Sequence, residues 1–181
     1  MPHTHPHLGL MALLLAGTAG AQGGCLDQSY LPNPLTNGLE VTASQPVTQT
    51  FTVGSTGQLA RVEIAQIGHH RGTPTQPLQV DIVTTDSAGV PTTTALASVT
   101  FAPASVPSST GPLPVDLLPF NIQVQSGLVL GIALSSNVVP GTQTYAWWGE
   151  APGGSYPGGQ VFIQQTTALP VWDLAFQTWV L

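Results

Sequence analysis

The stretch GLVLGIALSS, residues 127–136, sets Leu128, Leu130, Ile132 and Leu134 on one side of an extended chain and Val129, Gly131 and Ala133 on the other. A strand that is apolar or small on both sides belongs in the middle of a buried sheet. The segments around it follow the same period of two. In VTQTFTVG (47–54), Val47, Gln49, Phe51 and Val53 share a face, and Gln49 is its one polar member. LARVEIAQI (59–67) alternates Ala60, Val62 and Ile64 with Arg61 and Glu63, an opposite-charge pair two residues apart on a solvated face. LQVDIVTT (78–85) turns Leu78, Val80 and Ile82 inward and Gln79 and Asp81 outward.

Turn chemistry separates these runs. DSAGVP (86–91) reads as a turn, with Asp86 accepting backbone hydrogen bonds and Gly89 at positive φ. HHRGTPTQP (69–77) has a loop composition, and the prolines of PASVPSSTGP (103–112) suit an exposed connection. LEVTAS (39–44), TALASVTFA (94–102), LPVDLL (113–118), TQTYAWWG (142–149), QVFIQQ (160–165) and VWDLAFQTWV (171–180) complete the strands. No helical period lasts beyond about two turns. The expectation is an all-β fold, a two-sheet antiparallel β-sandwich of jelly-roll type, forming a single domain over residues 22–181.

The apolar run LGLMALLLAG (8–17) is too short to span a bilayer and has the size of a signal-peptide core. Ala19 and Ala21 follow it as an A-x-A cleavage site, so residues 1–21 are expected to be a cleaved signal peptide. The single cysteine, Cys25, cannot form an intrachain disulfide. AQGGC before it is a poor lipoprotein signal, because Gln22 stands where an apolar residue is needed. The alternative to lipidation is a free thiol near a frayed N-terminus.

Two arginines, no lysine and eight acids give a formal net charge of −6. Two fixed cations cannot neutralise a row of phosphates, which excludes nucleic acid as a partner, and the same deficit argues against anionic membrane surfaces. With 42% hydrophobic residues, the chain has enough apolar surface to fold despite its few charges.

Taken in order, DQSYLPNP (27–34), TQTFTVGSTGQLARVEI (48–64), ALASVTFAPASVP (95–107), YPGGQVF (156–162) and DLAFQTWV (173–180) resemble a jelly-roll module of secreted bacterial proteins, of the choice-of-anchor type. The resemblance implies a galactose-binding-like sandwich, exported to the cell surface or matrix. Its motifs are strand and turn signatures that carry no chemistry. The anchored members carry a hydrophobic C-terminal sorting tail, which this sequence lacks, and free secretion is the expectation.

Catalysis needs a nucleophile or base beside a group that tunes it. His69 and His70 are adjacent, so on an extended chain they point to opposite sides and do not share one metal ion. GGSYPGG, around Ser155, is not a nucleophile elbow, because no helix follows it. Two carboxylate pairs could serve a glycoside hydrolase: Glu63 with Asp81, on strands expected to adjoin, and Glu150 with Asp173 at the aromatic end. Asp27, Glu40 and Asp173 are candidate ligands for a structural Ca²⁺.

The aromatic stretch YAWWGEAPGGSYPGGQVF (145–162) offers a different chemistry. Exposed rings stack on the apolar faces of sugars, with nearby amides or carboxylates fixing the hydroxyls. Tyr145 and Trp147 share one strand face, and Ala146 and Trp148 share the other, so only one tryptophan points outward. Trp148 is assigned outward, with Tyr156, Trp172 and Glu150 as neighbouring binding residues. The leading structural alternative is that these rings plug the open end of the sandwich. The sequence therefore points to a secreted, non-catalytic extracellular module that meets a glycan or a surface protein, with a small glycoside hydrolase as the alternative.

Overall fold

The computed structural model describes residues 24–141 and 143–181. The expected signal peptide and its cleavage site lie outside the described residues. Fourteen strands follow in chain order, the first seven being β1 (Cys25–Tyr30), β2 (Asn37–Val41), β3 (Val47–Thr52), β4 (Gly57–Arg71), β5 (Leu78–Thr85), β6 (Pro91–Phe101) and β7 (Gly111–Asp116). The others are β8 (Gln123–Val124), β9 (Val129–Ser136), β10 (Thr144–Glu150), β11 (Val161–Ile163), β12 (Thr167–Leu169), β13 (Asp173–Leu174) and β14 (Phe176–Val180). They form two antiparallel sheets. The six-stranded sheet runs β12-β11-β3-β9-β5-β6, and the eight-stranded sheet runs β1-β14-β4-β10-β13, with β2 on β10 and β7 and β8 on β4.

β9 is central, hydrogen-bonded to β3 and to β5, as its two apolar faces require. Leu130, Ile132 and Leu134 enter the core, where Phe51 and Val80 from the same sheet meet Val62, Ile64, Trp147 and Phe176 from the other. Leu128 departs from the expectation: it precedes β9 in a turn and is 41% exposed. Gln49 faces the core and is fully satisfied, its amide nitrogen donating to Thr50 O and Asp173 Oδ1 and its oxygen accepting from Leu174 N. A buried amide persists only with such partners. The 86–91 turn forms as expected, with Asp86 Oδ1 accepting from Ala88 N and Val90 N and Gly89 at φ 78°.

Several boundaries need correction. His69, His70 and Arg71 belong to β4 and not to a loop, because β10 pairs with them there. β2 ends at Val41, where a Thr42–Gln45 bridge turns the chain. Glu63 and Asp81 lie on different sheets and do not adjoin, since β4 and β5 are separated by the core. Cys25 is exposed, but it sits at the start of β1 paired with Val180 and is not part of a frayed end. The 171–180 run breaks at Ala175 into β13 and β14.

Candidate functional site

Two aromatic clusters arise from the 145–162 stretch, one closed and one open. The closed one is the corner after β10. Trp147 points into the core at 0% exposure, its indole N–H donating to Ala175 O at 2.8 Å. Tyr156, expected at the surface, is 9% exposed: its ring packs edge-on against Phe176 at 5.1 Å and beside Tyr30 at 5.9 Å. Its hydroxyl donates to Gln28 Oε1 at 3.0 Å, and its backbone N–H donates to Asp173 Oδ2 at 2.9 Å. The ring holds a loop rich in glycine and proline onto the sandwich, where burying an aromatic outweighs exposing it. The plug reading therefore holds for Tyr156, and its assignment as an exposed binding residue is corrected.

The acids at this end serve the same closure. Asp173, 4% exposed, accepts from Tyr156 N and from Gln49. Burial lifts its pKa above the ordinary aspartate value and the Glu150 charge adds to this, while the bonds from Tyr156 N and Gln49 pull the other way. Glu150 is its register partner across β10 and β13 and accepts a 2.7 Å hydrogen bond from the Tyr30 hydroxyl. The sequence pairing of Glu150 with Asp173 is thus real in space, but both oxygens of Asp173 are occupied. Trp172 is half-buried against the core beside this corner.

The three candidate Ca²⁺ ligands do not converge. Asp27 Oδ2 accepts from Gly54 N, and its buried Oδ1 has no partner. Glu40 pairs with Arg71 and His70, while Asp173 is engaged as described. Among the described residues no three His, Cys, Asp or Glu side chains gather in a metal-binding group.

The open cluster lies on the outer face of the eight-stranded sheet. β10 pairs β2 with Trp148 opposite Gly38 and Ala146 opposite Glu40, so these side chains share the face away from Trp147 and Tyr145. Trp148 is half-buried, and its indole lies across Gly38: a Cβ there would come within 2.7 Å of Cδ2. Glycine at 38 is what lets the ring lie flat. His70 stands edge-on to the indole, with centroids 5.6 Å apart.

β4 supplies the charges through a bulge. Against β10, Tyr145 pairs with His69 and Thr144 with Arg71, leaving His70 as the extra residue. A bulge re-aims side chains that would otherwise alternate. Arg71 Nε donates to Glu40 Oε1 at 2.6 Å, and His70 Nε2 lies 3.4 Å from the same oxygen. His69 takes the other side and packs edge-on against Tyr145. Adjacent histidines on opposite sides match the sequence reading, whereas the joining of His70 and Arg71 at Glu40 was hidden behind the loop assignment. The Arg71 side chain remains 54% exposed. Chemically the face offers one aromatic platform, a carboxylate that accepts and a guanidinium that donates.

No protein-family model matches the chain, and no curated protein matches it in sequence.

Proposed function

We propose that this chain is a secreted, non-catalytic β-sandwich module that binds extracellular glycans through the Trp148 face. The observation that carries the reading is the indole lying flat on Gly38, with the Glu40–Arg71 pair beside it. The C–H face of a sugar ring stacks on such an indole, and neighbouring hydroxyls donate to Glu40 and accept from Arg71. The short leader-like apolar run and the charge-poor composition support export. The strand and turn signatures resembling surface and matrix modules support the same setting.

A binding role is favoured over a glycoside hydrolase by the state of Asp173. An acid that is buried, with each oxygen already accepting a hydrogen bond from the corner, is not presented to a substrate. The test is a glycan titration followed by tryptophan fluorescence, with products assayed in parallel. Binding without turnover, lost in Trp148→Ala while the unfolding midpoint is kept, is expected. Hydrolysis that disappears in Glu150→Gln would overturn the reading in favour of the enzyme.

A further inference from the structure

The chain's only two arginines, Arg61 and Arg71, both lie on β4. Arg61 pairs with Glu63, and its guanidinium carbon sits 4.4 Å over the Trp179 ring. Trp179 is the register partner of Arg61, and its neighbours Thr178 and Val180 point into the core. Trp179 therefore shares the outer face with Trp148. Each arginine of the molecule is thus held by a glutamate beside a tryptophan, twice on one sheet face. Ten positions of strand separate the two arginines (71 − 61 = 10), with bulges at 64–67 and at His70, which places them about 25–30 Å apart.

We infer that the outer face of the eight-stranded sheet is a two-subsite track for a linear, neutral polysaccharide. Trp148, Glu40 and Arg71 form the first subsite and Trp179, Arg61 and Glu63 the second. This rests on the Trp148 glycan reading and adds the ligand's class. The two subsites work differently. Trp148 stacks, whereas Trp179 is roofed by Arg61, so the second subsite meets the chain through guanidinium and carboxylate hydrogen bonds. Between them the backbone of Ser109 and Thr110 crosses over Gly68, 2.8–3.0 Å from where a Cβ would sit, and forms a ridge. A ligand reaching both ends passes this ridge and contacts the face in two places, not continuously. Neutrality follows from charge: each arginine is already balanced by a glutamate, and the chain's net charge of −6 repels uronates and sulfates.

Joining two weak contacts on one polymer raises the affinity once the chain can span them. The probes are short and long soluble members of the cello-, manno- and xylo-oligosaccharide series, with polygalacturonate as the acidic comparison, titrated calorimetrically. The expected result is that a spanning neutral chain binds roughly tenfold to a hundredfold more tightly than a short one. Arg61→Ala and Glu63→Gln should each remove that gain, leaving the Trp148 contact alone, and Trp148→Ala should remove the gain together with the stacking contact. A gain that is absent, or that survives both the Arg61 and Glu63 variants, overturns the two-subsite track and leaves the Trp148 reading intact. Failure of every neutral series to bind, or binding of polygalacturonate alone, overturns both. Thermal unfolding of each variant separates loss of contact from loss of fold.

Discussion

The corner around Tyr156 and the face around Trp148 are built from the same materials and do opposite things. At the corner two tyrosines, two carboxylates and two glutamines satisfy one another: Tyr156 with Gln28, Asp173 with Gln49, Glu150 with Tyr30. On the face a ring, a carboxylate, a guanidinium and an imidazole meet, but the Trp148 ring is half-buried and the Arg71 side chain exposed. The difference lies in what covers each cluster. A loop rich in glycine and proline folds over the first and is held by its own ring, whereas the second lies on a sheet surface beside an edge strand five residues long. Residue type alone does not distinguish an open aromatic cluster from a plug; the direction of each side chain and the presence of a cover do.

The sharpest way to break the comparison is at the corner. Tyr156→Ala should cost about 3–5 kcal/mol of stability, measured by urea unfolding, because a buried ring leaves a cavity and Gln28 loses its partner. Asp173→Ala should cost about 1–3 kcal/mol in the same assay, since Tyr156 N and the Gln49 amide lose an acceptor in a buried setting. If either variant left stability untouched while abolishing ligand binding, the corner would be a site and not a plug.

At the face the effects should fall on binding. Gly38→Ala forces the Trp148 ring off the sheet, so glycan affinity is expected to drop by about tenfold or more while stability changes by about 1 kcal/mol or less. The smallest effect concerns pH. Asp173 has a raised folded pKa, so its contribution to stability is complete below the ordinary aspartate range and is lost as pH rises through the raised value. Stability should therefore fall gently with rising pH just above that range, and Asp173→Asn should flatten the slope. Tyr156, pushed up to about 12 chiefly by burial, gives the same sign at high pH: stability declines as pH rises from about 10 toward 12, and less so in Tyr156→Phe.

Much of the fold was legible because a period of two with one buried face leaves little choice. The alternation in 127–136 placed β9 centrally, and the opposite directions of Trp147 and Trp148 followed from strand geometry alone. The site was less legible. Tyr156 sits among glycines and prolines, where no periodicity tells inside from outside, and a loop composition suggested exposure that a long-range bond to Gln28 reverses. His70 and Arg71 were read as loop because Gly72 and Pro74 follow them, yet pairing with β10 extends β4 through both. Glu40 looked like a free oxygen ligand, and only the bulge at His70 brings Arg71 onto it. No clear signal marked this face either: Asn37-Gly38 reads as a turn in the sequence, whereas in the structure both belong to β2 and Gly38 admits the Trp148 ring.

The most direct test uses the four indole N–H resonances of Trp147, Trp148, Trp172 and Trp179 in an NMR titration with a neutral oligosaccharide. The account predicts that the Trp148 signal moves first and furthest, and that Trp147, bonded to Ala175 O in the core, stays in place and exchanges slowly. Movement of Trp172 with a stationary Trp148 would contradict it, and would return the binding site to the corner.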